Sequence, residues 1–156
     1  PFLGVCLGLQ LLVKARGGRV LKSPVKEMGF RGPDQDWFTV RWSPSGMKDP
    51  LLKGIPSPIK IFQLHGETVE LGTGMECLAE GRFCKNQIVK IQEKAYGIQG
   101  HVELSEAMFE EWLRKDTDLR CQDVKKLKEE FCKVRNELEQ NSRMLFLNFL
   151  NLAGVL

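Results

Sequence analysis

A cysteine flanked at two-residue spacing by glycines, Gly4-Val5-Cys6-Leu7-Gly8, is the first arrangement in this sequence with a chemical use. Glycine, any residue, nucleophile, any residue, glycine is the form that presents a nucleophile on a sharp turn from strand to helix. Such a turn holds its central residue in strained backbone, and the two glycines keep Cβ atoms away from the crossing strand and helix. The Cys6 thiol then lies at a helix N-terminus, where the helix dipole and free amide N–H groups favour thiolate. The amide of Leu7 points to where an oxyanion would develop on an attacked carbonyl. A second segment, Gly97-Ile98-Gln99-Gly100-His101-Val102-Glu103, carries one of only two histidines, with a carboxylate two residues on. In extended chain, residues i and i+2 share a face, so Glu103 reaches one imidazole nitrogen while the other faces Cys6. A neutral imidazole accepts the thiol proton, the imidazolium stabilises the thiolate, and the carboxylate fixes tautomer and orientation. The bland alternatives are an inert buried Cys6, a hydrogen-bonded core or surface His101, and a Glu103 that only supplies negative charge ahead of the next helix. Each is reasonable alone, but all three must hold together.

The elements that position these residues follow from periodicity and turn chemistry. Phe2 to Val5 reads as a buried strand, and Gln10 to Arg16 as a helix stopped by Gly17-Gly18. Arg19 to Leu21 is a strand, and Ser23 to Asp36, with Pro24, Gly29, Gly32 and Pro33, is loop-like. Trp37 to Trp42 has strong strand composition, and Ser43 to Pro58 is an irregular connection with a helical turn at Asp49 to Lys53. Ile59 to Gln63, Cys77 to Glu80, Ile88 to Gln92 and Tyr96 to Gln99 read as four more strands. Ser105 caps a helix with Met108, Phe109, Trp112 and Leu113 on one side. Val124, Leu127, Phe131, Val134 and Leu138 then repeat at steps of three and four, which predicts one long amphipathic helix. Asn141 and Asn148 interrupt that register, so the helix is expected to pack back on its own domain and not into a coiled coil.

Composition bounds the rest. With 156 residues, 42% of them hydrophobic, the chain supports one core. A net charge of +3 is too small and scattered for a nucleic-acid backbone partner. Apolar runs such as Leu9 to Val13 and Met144 to Leu147 fall far short of the ~20 residues that cross a membrane, so a soluble protein is expected. The five cysteines are an odd number with no CxxC spacing, so neither a disulfide framework nor a structural zinc site is indicated, and reduced thiols fit a cytoplasmic setting. No cofactor or metal is called for. The chain opens at Pro1 without an initiator Met, which leads us to expect that an N-terminal part is absent.

Three blocks, Pro1 to Leu12, Phe62-Gln63-Leu64-His65-Gly66-Glu67-Thr68 and Gly97 to Glu103, resemble in order and spacing the signatures of class I glutamine amidotransferases, nearest to the glutaminase domain of GMP synthase and its stand-alone relatives. The resemblance implies an open, mostly parallel α/β sheet with helices on both faces, flavodoxin-like in its layering, followed here by a long C-terminal amphipathic helix. Residues 1–115 would be the C-terminal portion of an amidotransferase domain and residues 116–156 a helical extension packed on it. It implies that Cys6 attacks the side-chain amide of glutamine, releases ammonia and leaves a γ-glutamyl thioester, with His101 as base and then acid, Glu103 as its orienter and the Leu7 N–H as one oxyanion donor. Gln10 matches the glutamine-contacting residue, backbone near His65 and Gly66 matches part of the substrate pocket, and a synthase partner chain would receive the ammonia.

Two departures matter. The family usually has Pro between His and Glu, and Val102 here is expected to loosen that loop. Family members also carry strands and a Gly-rich loop before the elbow, the loop supplying a second oxyanion donor, so this chain alone is expected to be a poor glutaminase. The same residues would equally serve a γ-glutamyl peptidase or hydrolase, because the thioester does not depend on which amine left. A truncated, non-catalytic interaction protein is the third alternative.

Overall fold

The computed structural model describes residues 1–156. Strand β1 (Phe2–Val5) passes through Cys6 directly into helix α1 (Leu7–Ala15), which begins three residues earlier than its apolar spacing predicts. There follow β2 (Arg19–Gly29), β3 (Thr39–Trp42), two single-turn 3-10 helices at Gly46–Lys48 and Pro50–Leu52, β4 (Ile59–Lys60), β5 (Gln63–Glu70), β6 (Glu76–Gly81), β7 (Ile88–Gln92) and β8 (Ala95–Ile98). The C-terminal third is helical: α2 (Glu106–Lys115), α3 (Thr117–Arg120) and the 30-residue α4 (Val124–Ala153).

Six strands form one sheet in the order β1-β8-β7-β6-β3-β4, and β2 pairs with β5 in a separate two-stranded ribbon. The class is α/β, with helices on both faces, but the expected predominance of parallel pairs does not hold within this chain. Only β1 and β8 run parallel, and the other pairings in both sheets are antiparallel. For β6–β7 and β7–β8 the short connections dictate this, since a few residues can return a strand only antiparallel to its neighbour.

Two further elements differ from expectation. β2 extends through the segment read as loop, because Pro24 sits where the β2–β5 register shifts between Lys22 and Glu27, a place where its missing N–H breaks no ladder. β5 continues to Glu70 because Gln63 and His65 face inward as buried polar residues, so no apolar alternation announces it.

Alternation along β7 divides its side chains between two cores. Ile88 joins Val40, Trp42, Tyr96, Ile98 and Leu145 on one face, while Val89 and Ile91 pack with Leu9 and Val13 of α1 on the other. A third cluster gathers Phe30, Phe62, Phe109 and Leu113 under the first half of α4, whose Leu127, Phe131, Val134 and Leu138 supply the expected stripe. The helix thus packs back on the domain, and beyond Leu138 it continues to the buried Leu145 and a Gly154 cap in left-handed backbone. Asn148, which broke the apolar register, donates from Nδ2 to the carbonyls of Leu51 (2.9 Å) and Lys53 (2.8 Å), satisfying the end of the second 3-10 turn. Asn148→Ala is therefore expected to lower unfolding free energy by about 1–2 kcal/mol, read from urea midpoints, since two acceptors lose their donor while no core side chain changes.

Candidate active site

The β1–β8 pair builds the site. Cys6 N–H donates to the Ile98 carbonyl at 2.7 Å, so the end of β1 is pinned three residues before His101. Gly4 and Gly97 lie opposite each other in this pair, and both are bare for the same reason: α1 beds down on them. A Cβ on Gly4 would stand 2.5 Å from the backbone carbon of Gly8, and one on Gly97 2.2 Å from Leu9 Cδ1. Gly8 differs from the expectation, because a Cβ there would meet nothing within 4 Å. The close approach forces the sharp turn, and Cys6 takes φ 49° and ψ −103°, strained for a residue with a Cβ. No side chain caps the start of α1, which leaves its first amides, beginning with Leu7, without an intrahelical or side-chain acceptor.

His101 arrives from the other strand of the pair. Its N–H donates to the Phe62 carbonyl at 2.8 Å, its ring packs edge-on against Trp112 with centroids 4.8 Å apart, and its Nδ1 lies 2.7 Å from Glu103 Oε1. The carboxylate accepts, so Nδ1 carries a proton and Nε2 is left for Cys6. Val102 is buried at 6% exposure in the larger core, so packing anchors the loop that the absence of proline was expected to loosen.

Burial disfavours the His101 imidazolium, but hydrogen bonds with Cys6 and Glu103 and the charges of both outweigh it, and the ring is raised from 6.5 to about 9. Burial instead pushes the Cys77 and Cys84 thiols up to about 11, which keeps both protonated at neutral pH. The sign of the His101 shift makes a prediction. A group raised on folding contributes stability that is complete below its unfolded value near 6.5 and is lost as pH rises through about 9. Urea midpoints should therefore fall across that window, and Glu103→Gln should flatten the fall; an unchanged slope in the variant would show that Glu103 does not hold the imidazolium.

The sulfur opens on a cleft of about 940 Å³ walled by Leu7, Leu64, Gly66 and His101, with Lys26 and Asp118 at its rim joined by a 2.7 Å ion pair. Cys6, His101, Glu103 and the Leu7 backbone thus lie together at the end of the β1–β8 pair. His65 and Gly66 contribute to the wall, but the His65 ring is turned into the protein, 2.9 Å from the Glu67 carbonyl and 3.0 Å from Gln63 Oε1. Gln10 is buried in α1 and is not among the residues walling the cleft. Sequence reasoning missed Gln99, whose buried Nε2 donates toward Cys6 Sγ at 3.8 Å, and the Leu64 carbonyl 4.0 Å from the same sulfur. The signal that could have found Gln99 is its place in the same Gly97 to Glu103 block, between the end of β8 and His101.

Similarity to known proteins agrees with this geometry. The pattern of the family described as glutamine amidotransferase class-I matches residues 1–117. A glutamine amidotransferase-like protein of Salmonella typhimurium is 26% identical over 152 residues, covering 87% of this chain and 61% of the relative. A chain of the glutamine-hydrolysing GMP synthase of Methanococcus maripaludis is 31% identical over 123 residues, covering 78% of this chain and 60% of its own. A crystal structure of a glutamine amidotransferase from Thermotoga maritima superposes with a TM-score of 0.81 at 25% identity, covering 96% of this chain and 62% of that one. The chain spans about three fifths of the length of these relatives. With its signature blocks, its elbow and this match over three quarters of its residues, the chain belongs to the class I glutamine amidotransferases.

Proposed function

We propose that this chain carries the Cys6-His101-Glu103 triad of an enzyme that hydrolyses the side-chain amide of glutamine and releases ammonia. The observation that carries the reading is a cysteine in strained elbow backbone whose histidine partner is held by a carboxylate at 2.7 Å. In the first half-reaction Cys6 sulfur bonds to the amide carbon as the His101 proton passes to the departing nitrogen, and ammonia leaves. The Leu7 N–H stabilises the transient oxyanion. In the second half-reaction water gives a proton to His101 and attacks the γ-glutamyl thioester, which returns the thiol and releases glutamate. The similarity to a glutamine-hydrolysing GMP synthase chain supports a further step, delivery of the ammonia to a synthase partner chain.

A second reading, in which the same residues cleave γ-glutamyl peptides, follows from the chemistry, since the same thioester forms whichever amine leaves. One experiment separates them. Full-length protein is mixed with glutamine or with a γ-glutamyl dipeptide, quenched in acid, and the Cys6 peptide is weighed while ammonia and free amine are measured. A γ-glutamyl adduct with ammonia release supports the first reading and faster amine release the second. Absence of an adduct from both substrates would sink the triad mechanism altogether.

A further inference from the structure

Away from the cleft floor, three buried side chains with metal-binding atoms meet between β2, β5 and the β6–β7 turn. Glu27, His65 and Cys84 are 1%, 5% and 1% exposed, and one ligand atom from each lies within 4.8 Å of the others. Glu27 and His65 stand directly opposite in the β2–β5 ladder, so two of the three are fixed by backbone pairing. They were invisible to a search for cysteine spacing, because they come from positions far apart in the chain.

The hydrogen bonding here leaves a gap of a definite kind. His65 Nδ1 faces the Glu67 carbonyl at 2.9 Å, and a carbonyl only accepts, so Nδ1 carries the ring proton. In the neutral ring Nε2 is then an acceptor, yet it looks at Gln63 Oε1 (3.0 Å) and Glu27 Oε2 (3.2 Å), which are acceptors as well. Turning the Gln63 amide over would supply one donor but would leave Glu27 Oε2 bare. That oxygen is buried and makes no hydrogen bond. Lone pairs from a nitrogen and a carboxylate thus converge beside a thiol, and no group donates to Glu27 Oε2, which is costly unless a cation occupies the centre.

We infer that Glu27 Oε2, His65 Nε2 and Cys84 Sγ bind a divalent transition metal of the zinc type, with Gln63 Oε1 as the fourth donor. The donor set is the mix of imidazole, thiolate and carboxylate that zinc takes. Zinc bonds of about 2.0–2.3 Å place tetrahedral donors roughly 3.3–3.8 Å apart, so among Glu27, His65 and Cys84, whose ligand atoms lie within 4.8 Å of one another, the longest separation closes by about 1 Å. A histidine that ligates through one nitrogen while its other N–H donates to a carbonyl is the arrangement found around bound metals. Binding replaces the S–H bond of Cys84 with a metal–sulfur bond and passes the proton to solvent, and Thr68 Oγ1, 3.2 Å from that sulfur, turns to donate to the thiolate. All four donors come from protein, so the site is structural. It ties β2 to β5 next to Leu64, whose carbonyl faces Cys6, and it stands apart from the proposed glutamine chemistry.

The test uses the Cys6→Ser protein, so that the cleft thiol adds no signal, stripped with chelator and titrated with cobalt(II). One tightly held cobalt per chain is expected, with tetrahedral ligand-field bands and a thiolate-to-cobalt charge-transfer band, both abolished by one equivalent of zinc. Cys84→Ser should remove the charge-transfer band and weaken binding by more than the ~100-fold that loss of a supporting residue costs. Glu27→Gln should weaken binding similarly while keeping the band, and Cys77→Ser should change neither. Failure to retain one equivalent, or a charge-transfer band that survives Cys84→Ser, overturns the site. So does a nitrogen NMR spectrum showing His65 protonated on both nitrogens in the presence of zinc, since the proton would then be the missing cation.

Discussion

His101→Ala is expected to slow ammonia release from glutamine about 10²–10⁴-fold, the usual worth of a positioned acid–base group, and Cys6→Ser to eliminate the trapped thioester. The effect should be this large because, in the proposed mechanism, a single ring has two tasks: it would move the proton and offer charge to the sulfur, held edge-on against Trp112. Glu103→Gln should cost less, since an amide oxygen can still accept from Nδ1 at the 2.7 Å position, although it no longer stabilises the imidazolium. In Glu103→Gln the alkaline limb of the rate profile should also move toward neutral pH, because the hydrogen bond and charge of Glu103 both help raise His101 to about 9. Single-turnover rates with each variant over a range from mildly acidic to alkaline pH would read all of this, and an undiminished rate in His101→Ala would remove the histidine from the mechanism.

Gly4→Ala should destabilise the fold by about 3 kcal/mol or more, the upper range for overpacking, whereas Gly8→Ala should stabilise it by about 1 kcal/mol. The two glycines occupy equivalent places in the elbow pattern but differ physically. At Gly4 the added carbon would lie 2.5–2.6 Å from the carbonyl group of Gly8 and 2.9 Å from the Leu9 nitrogen, all backbone atoms that can yield only if α1 moves. At Gly8 there is open space and helical backbone, where alanine is the better residue. Urea unfolding of both variants checks the contrast. A Gly4→Ala protein as stable as the parent would mean that α1 is not seated on β1 as described. Moving α1 also moves Cys6, so the same variant should lose turnover in proportion greater than its loss of folded protein.

The chemistry was legible in the sequence where local backbone geometry dictates residue type. Strand-to-helix reversal over a crossing helix demands the bare Gly4, and the short sequence separation of His101 and Glu103 lets their side chains meet, although through a turn at residues 102–103 and not through extended strand. The long helix was legible because a 3.6-residue repeat survives in Val124 to Leu138. What escaped were features decided across the chain. The β2–β5 ribbon carries polar side chains inward, so its alternation is not one of hydrophobicity, and Pro24 disguises a strand whose irregularity absorbs it. The mixed sheet depends on which strands become neighbours, a matter of turn length more than of strand composition. Gln10 is a different case: it is matched to the resemblance by position alone, and in the structure it lies buried in α1.

The parallel pairing of β1 with β8 also has a temporal side. Phe2 meets Ala95 and Val5 meets Ile98, so β1 leaves the ribosome long before the strand it pairs with. At about 5–20 residues per second, the cysteine of the elbow emerges roughly 5–20 s before His101. Closing so long a loop costs more entropy than forming the β6–β7 and β7–β8 hairpins, so this pairing is expected to follow them. A nascent or prematurely terminated chain that stops short of His101 therefore carries the elbow cysteine without the histidine proposed to activate it.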